Sequence, residues 1–126
     1  MEQTQAEHLT PAEMAARTGV SLDTLRYYER IGLITGVARD TGGHRRYSAD
    51  DVGWVDVLRC LRTTGMPIAR MREFAELCRS NGTEDQRLDL LVGHRDEVVA
   101  GIAELQRALE VIEGKIAYYR QPAEHA

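Results

Sequence analysis

The sequence has few cysteines, no long apolar run and no export signal, and each absence excludes a class of protein. Two cysteines in 126 residues are too few for a disulfide framework or a cysteine-rich metal cage. No apolar run approaches the roughly 20 residues of a membrane-spanning helix. The polar, acidic N-terminus lacks the basic and apolar segments that direct export. We therefore expect one cytoplasmic protein without a metal, a cofactor or a membrane contact.

Catalytic arrangements are also missing from the sequence. The four histidines lie in separate parts of the chain, and none stands at a telling spacing from a nucleophile or a carboxylate. They are His8, His44, His94 and His125. The sequence therefore predicts that the protein is not an enzyme.

Arginine, by contrast, is abundant and unevenly placed. The chain has a net charge of −4, yet residues 26–46 contain five arginines against two acidic side chains. These arginines are Arg26, Arg30, Arg39, Arg45 and Arg46. A local excess of positive charge in an acidic protein indicates a phosphate-binding surface. Charge alone leaves a solvated arginine face as the alternative.

The helix caps near the N-terminus predict a helix-turn-helix. A capping box at Thr10–Glu13, with proline at the first helical position, opens a helix that ends near Thr18. After a glycine break, Ser21 caps a second helix that reaches about Ile31. Two short helices across a three-residue turn form this motif. The expected apolar interior consists of Met14, Ala15, Val20, Leu25 and Ile31.

The residues that follow predict a wing and two further helices. Residues 36–47 show no helical periodicity, and a Gly-Gly pair within them indicates the turn of a two-stranded hairpin. Ser48 opens a third helix to about Thr64, and Pro67 opens a fourth to about Arg79. The fourth helix is expected to bury Ile68, Met71, Phe74 and either Leu77 or Cys78, with Cys78 as part of the core.

A long helix with a narrow apolar stripe occupies residues 83–120. Apolar side chains recur there at alternating three- and four-residue steps, a heptad pattern that Arg95 interrupts. A helix of roughly 35 residues cannot bury such a stripe against a head of this size, so a second copy of the chain is the expected partner. A helix that folds back on its own domain is the alternative. The stripe consists of Leu88, Leu91, Val98, Ile102, Leu105, Leu109, Ile112, Ile116 and Tyr119.

The segment GVSLDTLRYYERIGLI at residues 19–34 closely resembles the signature of the MerR family of transcriptional regulators. The resemblance extends through GHRRY in the wing to the long terminal helix. It implies a mainly α fold: a winged helix-turn-helix head at residues 9–80, then a dimerisation helix at 83–120 in an antiparallel coiled coil. Residues 1–8 and 121–126 would be flexible ends.

The resemblance also implies a function and a set of DNA contacts. The homodimer would bind a pseudo-palindromic operator in a promoter with an overlong spacer, and would distort the double-stranded DNA so that RNA polymerase engages both promoter elements. Arg26 is best placed for a bidentate guanine contact, whereas Arg45 and Arg46 would reach the backbone or a narrow minor groove. Tyr28 is expected to pack rather than to contact phosphate. The expected DNA contacts are Ser21, Thr24, Arg26, Tyr27, Arg30, Arg45, Arg46 and Arg62, with a solvated surface as the alternative for Arg62.

The cysteines predict the kind of signal that the protein senses. Metal-sensing members of the family carry a thiol where this chain has Thr83, and more thiols after the long helix, where this chain has none, which excludes copper, mercury and zinc sensing. Cys60 resembles the lone cysteine of the NmlR-type branch, which is associated with aldehyde and nitrosative stress. A thiolate there would react with an electrophile. For Cys60, the alternative is an inert core cysteine. For the signal, the alternative is a small-molecule effector that binds non-covalently. For the protein as a whole, the alternative is a coiled-coil interaction module that does not bind DNA.

Overall fold

The computed structural model describes residues 8–121, which form five helices and one small hairpin. The elements are α1 (Pro11–Thr18), α2 (Leu22–Arg30), β1 (Ala38–Arg39), β2 (Arg45–Arg46), α3 (Ala49–Thr63), α4 (Ile68–Cys78) and α5 (Glu84–Tyr119). The chain divides into two compact units, one up to Glu84 and the other from Asp85. The ends expected to be flexible lie, apart from His8 and Gln121, outside the described residues.

Side-chain caps fix the starts of the first three helices, as the sequence predicts. The Thr10 hydroxyl accepts from the amide of Glu13 at 3.1 Å, and the Glu13 carboxylate accepts from the amide of Thr10 at 2.8 Å. Ser21 caps α2 by accepting from the amide of Thr24 at 3.1 Å. Ser48 and Asp51 form a second reciprocal capping box at the start of α3. Each cap satisfies amides that a helix start leaves without a partner.

The core of the first unit lies where α1 and α4 pack on α3 and where α2 packs on α1. Its largest fully buried side chains are Met14, Leu25, Leu33, Val55, Leu58, Met66 and Met71. The expected interior of the helix-turn-helix is confirmed for Met14, Val20 and Leu25, while Ala15 and Ile31 are only half-buried.

The buried stripe of α4 differs from the expected one. Met71 and Phe74 are buried as predicted, and Ala75 joins them. Ile68, Leu77 and Cys78 are half-buried, so the assignment of Cys78 to the core is wrong. Positions 71, 74 and 75 follow the i, i+3, i+4 pattern of a single helix face. The apolar side chains at the two ends of α4 lie beside that face and remain partly exposed.

The predicted wing is present as an antiparallel pair in which Ala38 lies opposite Arg46 and Arg39 opposite Arg45. Asp40 organises its turn, because its Oδ1 accepts from the amides of Gly42 and His44, both at 2.9 Å. The bond from the His44 amide is the main reason that the pKa of Asp40 is lowered from its usual value. Leu9 pairs with Tyr47 through two backbone bonds, so the segment before α1 lies against the base of the wing.

The second unit consists mainly of α5, in which every residue of the predicted apolar stripe except the half-buried Val98 is exposed. Its exposed large apolar side chains are Leu88, Leu91, Val99, Ile102, Leu105, Leu109, Val111, Ile112, Ile116, Tyr118 and Tyr119. Among the described helices, none has both the length and the apolar character needed to cross a membrane.

Candidate nucleic-acid interface

The second helix of the helix-turn-helix, α2, presents a basic outer face, and we call it the recognition helix. Leu25 and Tyr28 are buried and hold the helix on the head. Arg26 and Arg30 are therefore on the exposed side. The Arg26 Nη1 lies 3.7 Å from the Asp23 carboxylate in an exposed ion pair, which water screens and which leaves most of the guanidinium available. The Arg30 guanidinium lies 5.5 Å from the centre of the Tyr27 ring.

Two of the three arginines of the wing, Arg45 and Arg46, have different partners on the head. The Nε of Arg45 donates to the Glu29 carboxylate of the recognition helix at 2.6 Å. Arg46 donates to the backbone carbonyl of His8 at 3.5 Å. Both arginine side chains are half-buried, so the wing is held on the head through the same residues that the sequence predicts as DNA contacts.

A cleft of about 610 Å³ opens between the start of the recognition helix and the C-terminal half of α3. Its lining joins four predicted contacts, Ser21, Thr24, Tyr27 and Arg62, with Gly19, Val20, Tyr28, Arg59, Thr63 and Ile68. Hydroxyl groups and guanidinium groups that converge on one concave surface suit a phosphate oxygen. The structure thus brings Arg62 next to the start of the recognition helix, although 38 residues separate Arg62 from Thr24.

Six of the ten lining residues were not predicted as DNA contacts, and two of them, Arg59 and Tyr28, bear on the charge of the cleft. Arg59 lies one turn before Arg62 on α3, and its Nε would be only 3.2 Å from a Cβ at position 19. Gly19 also has a φ of 78°, which favours glycine, so the close approach of Arg59 depends on that residue. Tyr28 is buried as expected, and burial raises its pKa, while the nearby positive charge of Arg62 opposes that rise. The i, i+3 spacing of the two arginines was the sequence signal for Arg59.

Cys60 lies on α3 with its side chain exposed, and it is not among the residues that line the cleft. Cys60 is therefore not a buried core residue of the single chain. The residues that the structure describes contain no cluster of three or more histidine, cysteine or acidic side chains arranged to hold a metal ion.

Known proteins show the same arrangement. Residues 9–77 match the family described as "MerR HTH family regulatory protein". An HTH-type transcriptional regulator of Haemophilus influenzae is 40% identical over 114 residues, which span 89% of this chain and 84% of that protein. The crystal structure of HiNmlR, a MerR family regulator lacking the sensor domain and bound to promoter DNA, has 37% identity and a TM-score of 0.85 over 90% of this chain and 87% of its own. A MerR family regulator from Listeria monocytogenes has 36% identity and a TM-score of 0.83 over 93% and 92% of the two chains.

A recognition helix beside a wing, followed by a long terminal helix, defines a winged helix-turn-helix DNA-binding regulator. The chain belongs to the MerR family of transcriptional regulators, and within that family it is of the NmlR type. The predicted fold class and the predicted family are both confirmed. Members of this family regulate transcription and are not enzymes.

Proposed function

We propose that two copies of the chain, joined through their α5 helices in an antiparallel coiled coil, bind a pseudo-palindromic operator and distort it. The observation that carries the proposal is that one chain contains both an exposed basic recognition helix and an exposed apolar stripe. The stripe of α5 includes Leu105, which is 73% exposed, and Leu109, which is 52% exposed. Surface of that kind is costly in water and is buried when two such helices pack together.

The DNA contacts follow from where the side chains lie. Arg26 is the candidate for base reading because it is exposed at mid-helix and is long enough to reach a guanine edge from the major groove. Ser21, Thr24, Tyr27 and Arg62 share a cleft that suits backbone phosphate. Arg30, on the exposed face of α2, and Arg45 and Arg46, in the wing, are the remaining candidates for contacts with the DNA backbone. HiNmlR, with the same fold at 37% identity, is bound to promoter DNA, which supports this use of the head.

The regulatory step that we propose is a change in DNA shape. A dimer fixes the distance between its two recognition helices, so both helices can engage only if the two half-sites are brought to that distance. In a promoter with an overlong spacer, bending and untwisting would shorten the effective distance between the two promoter elements. RNA polymerase would then be able to contact both promoter elements at once.

Cys60 is the proposed sensor of electrophiles. The side chain is exposed on α3, so a small electrophile can reach the sulfur. The thiolate would attack the carbonyl carbon of formaldehyde: a C–S bond forms, the C=O π bond breaks, and the oxygen takes a proton from water. An S-hydroxymethyl group on α3 would change the surface that α3 presents.

The test combines DNA binding with a reporter. The chain is titrated onto a labelled fragment from upstream of its own gene, and the mass of the complex is measured by light scattering. We expect two copies per fragment, and a complex containing one copy would contradict the dimer. With the same promoter driving a reporter, Cys60→Ser should abolish the response to formaldehyde and keep DNA binding, whereas Cys78→Ser serves as the matched control. An unchanged response of Cys60→Ser would favour a non-covalent effector.

A further inference from the structure

The recognition helix ends in a tight turn whose carbonyl groups are held by side chains from elsewhere in the head. After α2, Gly32 adopts a φ of 85°, and the amides of Leu33 and Ile34 both donate to the carbonyl of Tyr28, at 2.8 and 3.2 Å. The carbonyls of Gly32 and Leu33 follow the C-terminal end of α2 at Arg30, the end at which the helix dipole places partial negative charge. Hydrogen-bond donors, and positively charged donors above all, are therefore favoured near these carbonyls.

Two side chains supply those donors. The indole Nε1 of Trp54, on α3, donates to the Leu33 carbonyl at 2.8 Å. The Nη2 of Arg79, the residue after α4, donates to the same Leu33 carbonyl at 3.2 Å and to the Gly32 carbonyl at 2.5 Å. We call these three bonds the carbonyl clamp. The clamp joins the end of the recognition helix to positions 21 to 47 residues further along the chain.

The Trp54 ring is packed against a neighbouring helix, and the backbone of Arg79 belongs to an ordered turn. The Trp54 ring stacks on Phe74 of α4, with ring centres 6.0 Å apart and planes 19° from parallel. Arg79 lies in the turn between α4 and α5, which Thr83 closes by donating its hydroxyl to the carbonyls of Leu77 and Ser80. A donor held in this way restricts the acceptor, so the clamp limits how far the end of α2 can move.

We propose that Trp54 and Arg79 are positioning residues for operator recognition: they set the recognition helix without contacting DNA. The inference rests on the proposed function. Reading base edges requires a side chain within a narrow range of distances and angles, so an ordered helix is needed in advance. Binding to random DNA depends on phosphate charge and tolerates a looser helix. Loss of the clamp should therefore reduce specific binding and spare non-specific binding.

The experiment measures the affinity of the full chain for operator and for random DNA at one salt concentration. Trp54→Phe removes the indole donor and keeps the stack on Phe74, and Arg79→Gln removes the cationic donor. For each we expect operator affinity to fall by about tenfold, because binding must then order a helix end that the clamp holds in the free protein, with random-DNA affinity changed by less than about twofold. Arg72→Gln on α4 removes the same charge and serves as the control, and Arg79→Lys should restore part of the operator affinity.

Other results of the same titrations would distinguish a positioning role of Arg79 from a direct contact with phosphate. If Arg79→Gln lowered both affinities alike and reduced the salt dependence, Arg79 would be a phosphate contact and the positioning role would be overturned. If both variants matched the wild type, the clamp would have no part in recognition. A wild-type protein that did not distinguish operator from random DNA would overturn the proposed function and, with it, the role of the clamp in specificity.

A measurement without DNA tests the clamp separately from the proposed function. Amide hydrogen exchange in Trp54→Phe and Arg79→Gln should speed up at Leu33 and Ile34 while α1 keeps its protection. Because Trp54 and Arg79 share one acceptor, the two effects should be non-additive in the double variant. Unchanged exchange at Leu33 and Ile34 would show that the carbonyls are not held by these side chains and would overturn the inference.

Discussion

The Nε of Arg45, in the wing, donates to the carboxylate of Glu29, in the recognition helix, across 2.6 Å. The two side chains are 31% and 24% exposed, so water screens the pair less than a typical surface ion pair. The bond joins the two elements that face DNA in the proposed complex. Arg45 therefore orients the wing relative to the recognition helix as well as adding positive charge beside it.

Glu29→Gln tests this link between wing and helix. The substitution weakens the bond to Arg45 and removes one negative charge from the DNA-facing side. We expect the free energy of unfolding to fall by about 1 kcal/mol, random-DNA affinity to rise slightly, and preference for the operator to decrease. Urea unfolding and competition binding measure these effects. A variant with unchanged preference for the operator would show that the pair does not orient the wing.

Arg26 and Arg46 should differ in the kind of affinity they support. Arg26→Ala removes the proposed guanine contact, so operator binding should weaken by about 1–3 kcal/mol and sequence preference should relax. Arg46→Ala removes a charge near the backbone, so binding to all sequences should weaken alike and the salt slope should decrease by about one. Titrations of operator and random DNA at several salt concentrations separate the two. Equal losses on both DNAs for Arg26→Ala would contradict its assignment as a base contact.

Local signals in the sequence were sufficient for the helices, and long-range contacts were not. The starts of α1, α2 and α3 could be predicted because each cap lies within three residues of the amide that it bonds. The heptad pattern of α5 likewise lies within one element. The bond from Arg45 to Glu29 spans 16 residues and leaves no periodic signal.

The same distinction between local and long-range contacts explains which side-chain roles could not be predicted. In the sequence, Trp54 and Arg79 are ordinary helix residues. Only the folded structure shows that both side chains donate to the Leu33 carbonyl. The exposure of Cys60 and the half-buried state of Cys78 depend on how α3 and α4 pack against their neighbours, which helical periodicity alone did not determine. Arg59 could have been found from its spacing to Arg62, but its closeness to Gly19 could not.

Alkaline pH should destabilise the head through two buried tyrosines. Burial raises the pKa of Tyr28 and of Tyr47 above 10.0, and in each case burial is the largest cause. A raised pKa means that the folded state holds the phenolic proton more tightly than the unfolded state. This stability is fully present below pH 10.0 and is lost as the pH rises through the raised values. Urea midpoints should stay level from about pH 7 to 9 and fall above about pH 10.

Single tyrosine variants provide the control for that pH dependence. Tyr28→Phe and Tyr47→Phe each remove one ionisable group and keep the ring, so each should flatten part of the decline at high pH. A decline that was equally steep in Tyr28→Phe and Tyr47→Phe would assign the effect to other groups.

A charge in the apolar stripe of α5 should separate the dimer. Leu105→Asp places a carboxylate among side chains that the coiled coil would bury, and an unpaired buried charge is strongly unfavourable. We expect sedimentation analysis to show a monomer whose head keeps its fold by circular dichroism. Arg107→Asp, two residues away and outside the heptad positions, is the matched control and should remain dimeric. A dimeric Leu105→Asp protein would place the interface elsewhere.

Hydroxyl-radical footprinting on the DNA upstream of the gene tests the central claim most directly. Two copies that hold their recognition helices at a fixed distance should protect two symmetric half-sites, separated by whole turns of roughly 10 base pairs. Leu105→Asp should abolish the paired protection at the same protein concentration. A single protected half-site with the wild-type chain, or protection that followed no symmetry, would contradict the account.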